Sequence, residues 1–559
     1  MAVTALNGCK DGLVEIRGSR SEDAISDAEK AGCSKEVSYV AGEADTPGLR
    51  RALNGRHAYM ISLASGVGTG LFMGSGVAIY MAGPLGVLLG YSLFGLAVSE
   101  VAFISAETIG FLPVSGGFIR FVTRFGDRAL GITVALTFWY LLSITIAADV
   151  VAASSLVAYW RPDLNLAIFI TVFLVLILFS NLMPVRFYGE TEFFFGMLKT
   201  LLIVGLIIAC FLVDWGVNPA HEYIGGKFWA VSSPIKEYLV PGSTGRFLAI
   251  WGTFINASFA MGNIQIACIG AGEVANPRVN VPRAMRRIFI RIFLFYILSL
   301  LSVGLILDSN DSRVASKAGT SSSPFVLAFT NVGIKVVPSI INAVVITSAF
   351  SAGNGMVFLA SRVLVGLAQD GNAPKFLTTA NKWGVPWPAV LCSFPLGLLA
   401  YLTLGGSGAT TVFSWFINLI GTAGLFIWCI ICFTYLRFYY GLKSRGISRD
   451  ELPYKSWGQP YAAYAAGIFC FLVLITSGFG LFFPGNFTAA GFLSNYIACF
   501  LVPALYIVLK IFIRSPWIRI EDMDFSPMDD IRTERALKEA SPPKKFGFWR
   551  KLREKLFDQ

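Results

Sequence analysis

The chain of 559 residues is 55% hydrophobic and 14% aromatic, with only 14% charged residues and a formal net charge of +11. Soluble domains carry about 25% charged residues, so an ordinary water-exposed surface is excluded, and the apolar content also excludes dominant disorder or a disulfide scaffold. What remains is a polytopic membrane protein; Lys and Arg flank apolar runs instead of forming a stripe among exposed aromatics, so no nucleic-acid partner is expected.

Residues 1–50 are polar, rich in Gly, Ser, Ala, Asp and Glu, and lack the apolar stretch of a signal peptide, so they read as a flexible cytosolic tail. A bilayer-spanning helix needs about 20 mostly apolar residues, and about twelve stretches qualify. They lie near 58–80, 84–106, 128–158, 164–183, 193–213, 247–272, 288–307, 336–368, 386–404, 408–435, 462–482 and 492–513. The third and eighth are overlong, which predicts tilt or a bent end. Together they form one transporter domain over 51–515, followed by a second cytosolic tail over 516–559.

The first span carries Ser65-Gly66-Val67-Gly68-Thr69-Gly70. Glycine at every second position weakens a helix, each residue by about 1 kcal/mol relative to Ala. Gly66 and Gly70 alone suit a close Gly-x-x-x-Gly packing face. Gly68 adds nothing to such a face, so an unwound ligand-binding segment is expected. After the second span's apolar run come Glu100 and Glu107, and Glu107 is expected at the cytosolic mouth in a gating or helix-end ion pair. Charges within a membrane are expensive, which singles out two more residues. Asp149 in the third span either faces the substrate or gate, or is a solvated carboxylate near the outer interface. Lys199 stands alone in the apolar run from Phe193 to Leu202, with no partner expected on its own helix. It either snorkels to the cytosolic interface or is a buried cation that replaces a coupling ion or itself titrates.

The sixth span has a second soft spot, Phe259-Ala260-Met261-Gly262-Asn263-Ile264-Gln265. Breaks in the corresponding first helices of two five-helix units mark an inverted repeat with the site between them. Repeat one covers about 58–213 and repeat two about 247–435, with peripheral helices over about 462–513. A half-helix starting after a break aims its positive end at the cavity, which suits a carboxylate. Glu273 precedes Asn276-Pro277-Arg278 and is expected either to gate or to form a helix-end ion pair. Cys429 and Cys432 have redox-motif spacing, but on an apolar helix they read as packing residues. With only His57 and His221, no metal site, cofactor or catalytic apparatus is expected, and an enzyme is disfavoured.

Orientation follows from the basic residues near the span ends. Arg120, Arg124 and Arg128, then Arg186, then Arg278 to Arg291, then Lys375 and Lys382, then Lys443 to Lys455 occupy alternate connections, while 81–83, 405–407 and 483–491 carry no charge. Both termini are therefore expected in the cytosol.

Several of these stretches form a series. Arg56-His57 followed by Ser65 to Gly74, Leu112-Pro-Val-Ser-Gly-Gly-Phe118, Ala271-Gly-Glu-Val-Ala-Asn-Pro-Arg278 and Gly446-Ile-Ser-Arg-Asp-Glu-Leu-Pro-Tyr-Lys-Ser456 together resemble the fungal amino-acid permeases of the amino acid–polyamine–organocation superfamily, over about residues 50–525. The resemblance implies an all-α, leucine-transporter-type fold of ten core helices in two inverted repeats plus two peripheral ones. It implies amino-acid import across the plasma membrane by proton symport and alternating access.

By position, the resemblance gives the substrate carboxylate to Ser65 and to the backbone of Gly66, Val67, Gly68, Thr69 and Gly70. It gives the α-amino group to Phe259, Ala260, Met261, Gly262 and Asn263. Lys199 matches a lysine that takes the place of sodium in proton-coupled relatives, with Ser348 to Ser351 completing its surroundings. Asp149 stands where relatives show Glu, and Asn263-Ile264-Gln265 where many show Gly-Thr-Glu, so neutral, basic and unusual amines all stay open as cargo. The implied partners are an amino acid or related amine, a proton, the lipid bilayer and, on the tails, ubiquitin-dependent sorting machinery. Two alternatives stand beside this reading: a transporter of a specialised polyamine or carnitine-like amine, and a nutrient sensor with little transport.

Overall fold

The computed structural model describes residues 14–16, 37–39, 68–114, 116–161, 163–231, 233–262, 278, 282, 285, 288–314, 323–405 and 408–540. The chain divides into two units, Met1–Leu49 with Phe525–Gln559 and Arg50–Asp524. In the first unit, strands β1 (Val14–Ile16) and β2 (Val37–Tyr39) pair in parallel. This small pairing lies in the segment whose composition reads as a tail.

The second unit is helical, and its elements follow the apolar runs closely. Helix α1 opens with a π turn at Gly70–Gly74 and continues to a break at Gly83, where φ is +76°. Only glycine adopts that conformation without strain, and Pro84 then starts α2, which runs over 84–111. The backbone groups freed at the break are satisfied from the segment before the sixth span. Leu85 N–H donates to the Pro234 carbonyl at 2.9 Å, and Lys236 N–H to the Ala82 carbonyl at 3.1 Å. A short helix α3 (Gly117–Phe125) leads into α4 (Arg128–Val157), followed by α5 (Leu166–Leu182) and α6 (Val185–Asp214).

The second half starts with α7 (Gly242–Ala260). Helix α8 covers 288–306 with an internal π turn at Ile292–Ile297. Then come a short helix α9 (Pro324–Asn331), α10 (Val336–Gln369), α11 (Trp387–Leu404) and α12 (Ala409–Ser444). The bundle closes with α13 (Tyr461–Ile475) and α14 (Ala489–Ile513). Among the described residues nine helical stretches are long and apolar enough to cross a membrane, the first of them being α1 and α2 together, and α5 is a shorter apolar helix. Every expected span thus has a helical counterpart among the described residues, and apart from the β1–β2 pair the chain is a helical polytopic membrane protein.

Helix α10 packs along α4 and against α5 and α6, α7 packs on α2 and on the start of α1, and α12 bridges α4, α7, α13 and α14. The core is aliphatic and aromatic, with Tyr91, Phe94, Phe254 and Trp428 fully buried. Leu201, Ile208, Phe500 and Ile511 are exposed on the outside of α6 and α14, as expected of side chains that face lipid tails. The end of the bundle holding the basic connections is tied by polar contacts. Arg120 pairs with Asp370 at 3.1 Å, Arg128 donates to Asn372 Oδ1, and Asp127 caps α4 by accepting Leu130 N–H at 2.6 Å while also binding Lys510.

Candidate functional site

The two soft spots meet. Helix α7 ends at Ala260, with Met261 and Gly262 forming a final turn, and α1 begins at Gly70 directly beside it. A Cβ built on Gly70 would lie 2.5 Å from the Ala260 Cα, so only glycine allows this approach. Phe259 turns toward Gly74 and packs edge-on against Phe413 of α12, ring centroids 6.0 Å apart. The Phe259 carbonyl accepts Gly262 N–H at 3.3 Å, and the Ala260 carbonyl accepts the Tyr296 hydroxyl at 2.7 Å. Ser65, Gly66, Val67, Asn263 and Glu273 lie outside the described residues.

Helix α10 organises the rest through four consecutive residues. Ser351 reaches α6, where its hydroxyl donates to Glu192 Oε2 at 2.6 Å and accepts from Lys199 Nζ at 3.4 Å. Ala352 faces Gly68 at the entrance to α1. Gly353 leaves room for Asp149, whose Cβ would be 3.5 Å from a Cβ added there. Asn354 binds α5, its Oδ1 accepting from Asn181 Nδ2 at 2.6 Å. A side chain larger than those of Ala352 or Gly353 would separate α10 from α1 or α4.

Asp149 is buried and accepts a hydrogen bond from the Thr69 hydroxyl at 2.8 Å, which joins α4 to the start of α1. Among the described residues its second oxygen, Oδ2, has no hydrogen-bond partner. A buried carboxylate with one oxygen unmatched is costly. It is also a ready acceptor for a cation or a proton. This environment is not that of a solvated carboxylate at an interface.

Lys199 is 1% exposed and does not snorkel. Nor does it stand alone on its helix, as the sequence reading expects: Glu192, on the same face two turns earlier, lies 3.6 Å from its Nζ. The signal was present as a seven-residue spacing, because 3.6 residues per turn returns a side chain to the same face after two turns.

Glu107 is fully buried near the basic end of α2. Arg449 grips both its oxygens at 2.8 and 2.6 Å, and the Tyr435 hydroxyl and Ser456 N–H donate to it at 3.0 and 2.8 Å. Gln459 of the same connection binds Glu100 one level deeper. Arg449 and Ser456 belong to the Gly446–Ser456 motif, but more than 340 positions separate them from Glu107, and no sequence pattern announces such a pairing.

Known proteins are similar to this chain in sequence and in fold. The amino acid permease family model matches residues 57–520. The chain is 36% identical over 491 residues to a proline-specific permease of Emericella nidulans, covering 86% of this chain and 89% of that one. It is 38% identical over 508 residues to a lysine-specific permease of Saccharomyces cerevisiae, covering 90% and 82%. Among solved structures, a manganese transporter of Eremococcus coleocola superposes with a TM-score of 0.51 at 14% identity, covering 88% of this chain and 97% of that one, a likeness of fold alone. With a family match spanning nearly the whole helical bundle, the chain belongs to the amino acid permease family.

Proposed function

We propose that this permease is a proton-coupled symporter that imports an amino acid by alternating access across the plasma membrane, with both tails in the cytosol. The observation that carries the reading is the buried Lys199 ammonium, fixed to α10 at Ser351, two positions from the Gly353 that houses Asp149. A cation held there does electrostatically what a bound metal ion would do, drawing α6, α10 and the start of α1 together. When Lys199 loses its proton the attraction weakens, and the helices gain freedom to separate.

In this reading the first-turn N–H groups around Gly68, Thr69 and Gly70, with Ser65, Gly66 and Val67, bind the substrate carboxylate, since a helix start leaves up to four N–H groups without intrahelical acceptors. The remaining lone pairs on the Phe259 and Ala260 carbonyls, together with Met261, Gly262 and Asn263, take the α-amino group. Asp149, tied to the start of α1 through Thr69, receives positive charge on its free Oδ2. Glu107 holds the cytosolic end of α2 in place, and Glu273 serves as gate or helix-end pair. The tails carry the sorting signals for ubiquitin.

Uptake of a labelled amino-acid panel, with lysine and proline first because relatives bear those names, tests the reading with and without a protonophore. Uptake abolished by the protonophore supports it; sodium-driven, pH-insensitive uptake contradicts it. The unmatched oxygen of Asp149 also favours a second reading, in which the cargo is a polyamine or carnitine-like amine. Competition by those amines and not by amino acids would decide for it.

A further inference from the structure

We propose that Glu192 is the proton acceptor of Lys199, and that the Ser351 hydroxyl relays the proton between them. This rests on the proton-coupled reading above and deepens it. The donor chain is already oriented: Lys199 Nζ donates to Ser351 Oγ at 3.4 Å, and Ser351 Oγ donates to Glu192 Oε2 at 2.6 Å. Transfer needs only that Nζ close the remaining distance to Oγ, since no group has to change partners. A proton leaves Nζ for Oγ as the hydroxyl proton leaves Oγ for Oε2. A neutral amine and a neutral carboxylic acid replace the ion pair, and Ser351 ends as it began. Two opposite charges are erased together, so the buried site loses its ion pair without acquiring a net charge.

The position of Glu192 gives the transfer a direction. Its backbone lies seven residues nearer the start of α6 than that of Lys199, about 10 Å along the axis at about 1.5 Å per residue, and its side chain reaches back to within 3.6 Å of Nζ. One turn further toward the same end, Tyr188 stacks on Phe358 of α10 with ring centroids 4.0 Å apart, and the Arg362 guanidinium covers the other part of that ring. In the proposed orientation this end faces the cytosol, so protonated Glu192 is the last carrier before release. The other titratable and charged groups on α6 are Arg186, Tyr188, Glu190, Lys199, Cys210 and Asp214; of the helices packed on α6, α10 carries Arg362, α8 carries Arg291 and Tyr296, and α5 carries none.

The test uses the purified full chain in proteoliposomes, with radiolabelled L-lysine and L-proline as probes, and compares accumulation driven by an acid-outside gradient with equilibrium exchange. Glu192→Gln removes the acceptor and should cut accumulation by about a hundredfold, within the range of lost acid–base partners, while exchange falls less than about threefold. Ser351→Ala should show the same split more mildly, and Ser351→Thr, which keeps the hydroxyl, should restore accumulation. If Glu192→Gln fails to elute as a monodisperse protein, the Ser351 pair decides. Wild-type accumulation in Glu192→Gln overturns the relay. Equal loss of accumulation and exchange in both Glu192→Gln and Ser351→Ala also overturns it, since Glu192 then only positions Lys199. Failure of the wild type itself to accumulate either probe under the gradient, while exchanging it, overturns the proton-coupled reading instead.

Discussion

Two buried acid–base clusters sit in this bundle, and they are built differently. At the basic end Glu107 is saturated, with Arg449 on both oxygens and Tyr435 and Ser456 adding donors at 2.8–3.0 Å. Midway along α6, Lys199 is 3.6 Å from Glu192 and 3.4 Å from Ser351, and nearby Asp149 has one oxygen unmatched. A carboxylate gripped on both oxygens by one guanidinium and by further donors has little to gain by moving. A cluster of longer contacts and unused acceptors has both options open. The first is the construction of a clamp; the second is the one we propose as the working site.

The largest expected effect tests the clamp. Glu107→Ala leaves Arg449 buried without its counter-charge, and breaking a buried pair costs about 3–5 kcal/mol. Thermal unfolding followed by fluorescence-detected size exclusion should show a large drop in midpoint; a shift no greater than that of a surface mutation would mean that the cluster does not clamp α2. At the working site, Thr69→Val removes a hydrogen bond to a charged group, worth about 1.5–3 kcal/mol. That loss should raise the KM for uptake and lower the melting midpoint by less than Glu107→Ala does.

Gly70→Ala tests the contact between the helix termini. Its new methyl meets the Ala260 backbone at 2.5 Å, and overpacking of this kind costs about 1–3 kcal/mol. Uptake should fall more than surface abundance, while equal losses would assign Gly70 to folding alone. The smallest effect is expected at a control pair outside the spans. The Asp311 carboxyl is pulled down to about 2 by its hydrogen bond with Arg313. Its folded-state value is depressed, so its contribution is complete above the ordinary carboxylate value of about 3.9 and fades only as pH falls toward 2. Asp311→Asn should therefore leave the pH profile of uptake between about 5 and 8 unchanged; a shifted profile would move proton sensing away from the bundle interior.

The spans were legible in the sequence because apolar runs of this length have few other uses, and α1 and α2 divide at the Gly83–Pro84 step that punctuates their run. The start of α1 and the end of α7 were legible too: Gly68 and Gly70 stand where α1 begins, and Gly262 just past the end of α7. Pairings across the bundle were not. Glu107 with Arg449 and Ser456, and Asp149 with Thr69, depend on which helix faces which, and one sequence carries no register between helices. Glu192 is the instructive case, since its partner lies on its own helix and the seven-residue spacing already held the contact.

The central claim is that the loosely coordinated Lys199 cluster, and not the saturated Glu107 cluster, couples transport to the proton. Lys199→Met removes the charge and leaves an unbranched side chain one atom shorter. Measured in proteoliposomes under an acid-outside gradient, it should lose accumulation of labelled substrate by about a hundredfold and lose exchange by much less. Accumulation at the wild-type level in Lys199→Met would contradict the account.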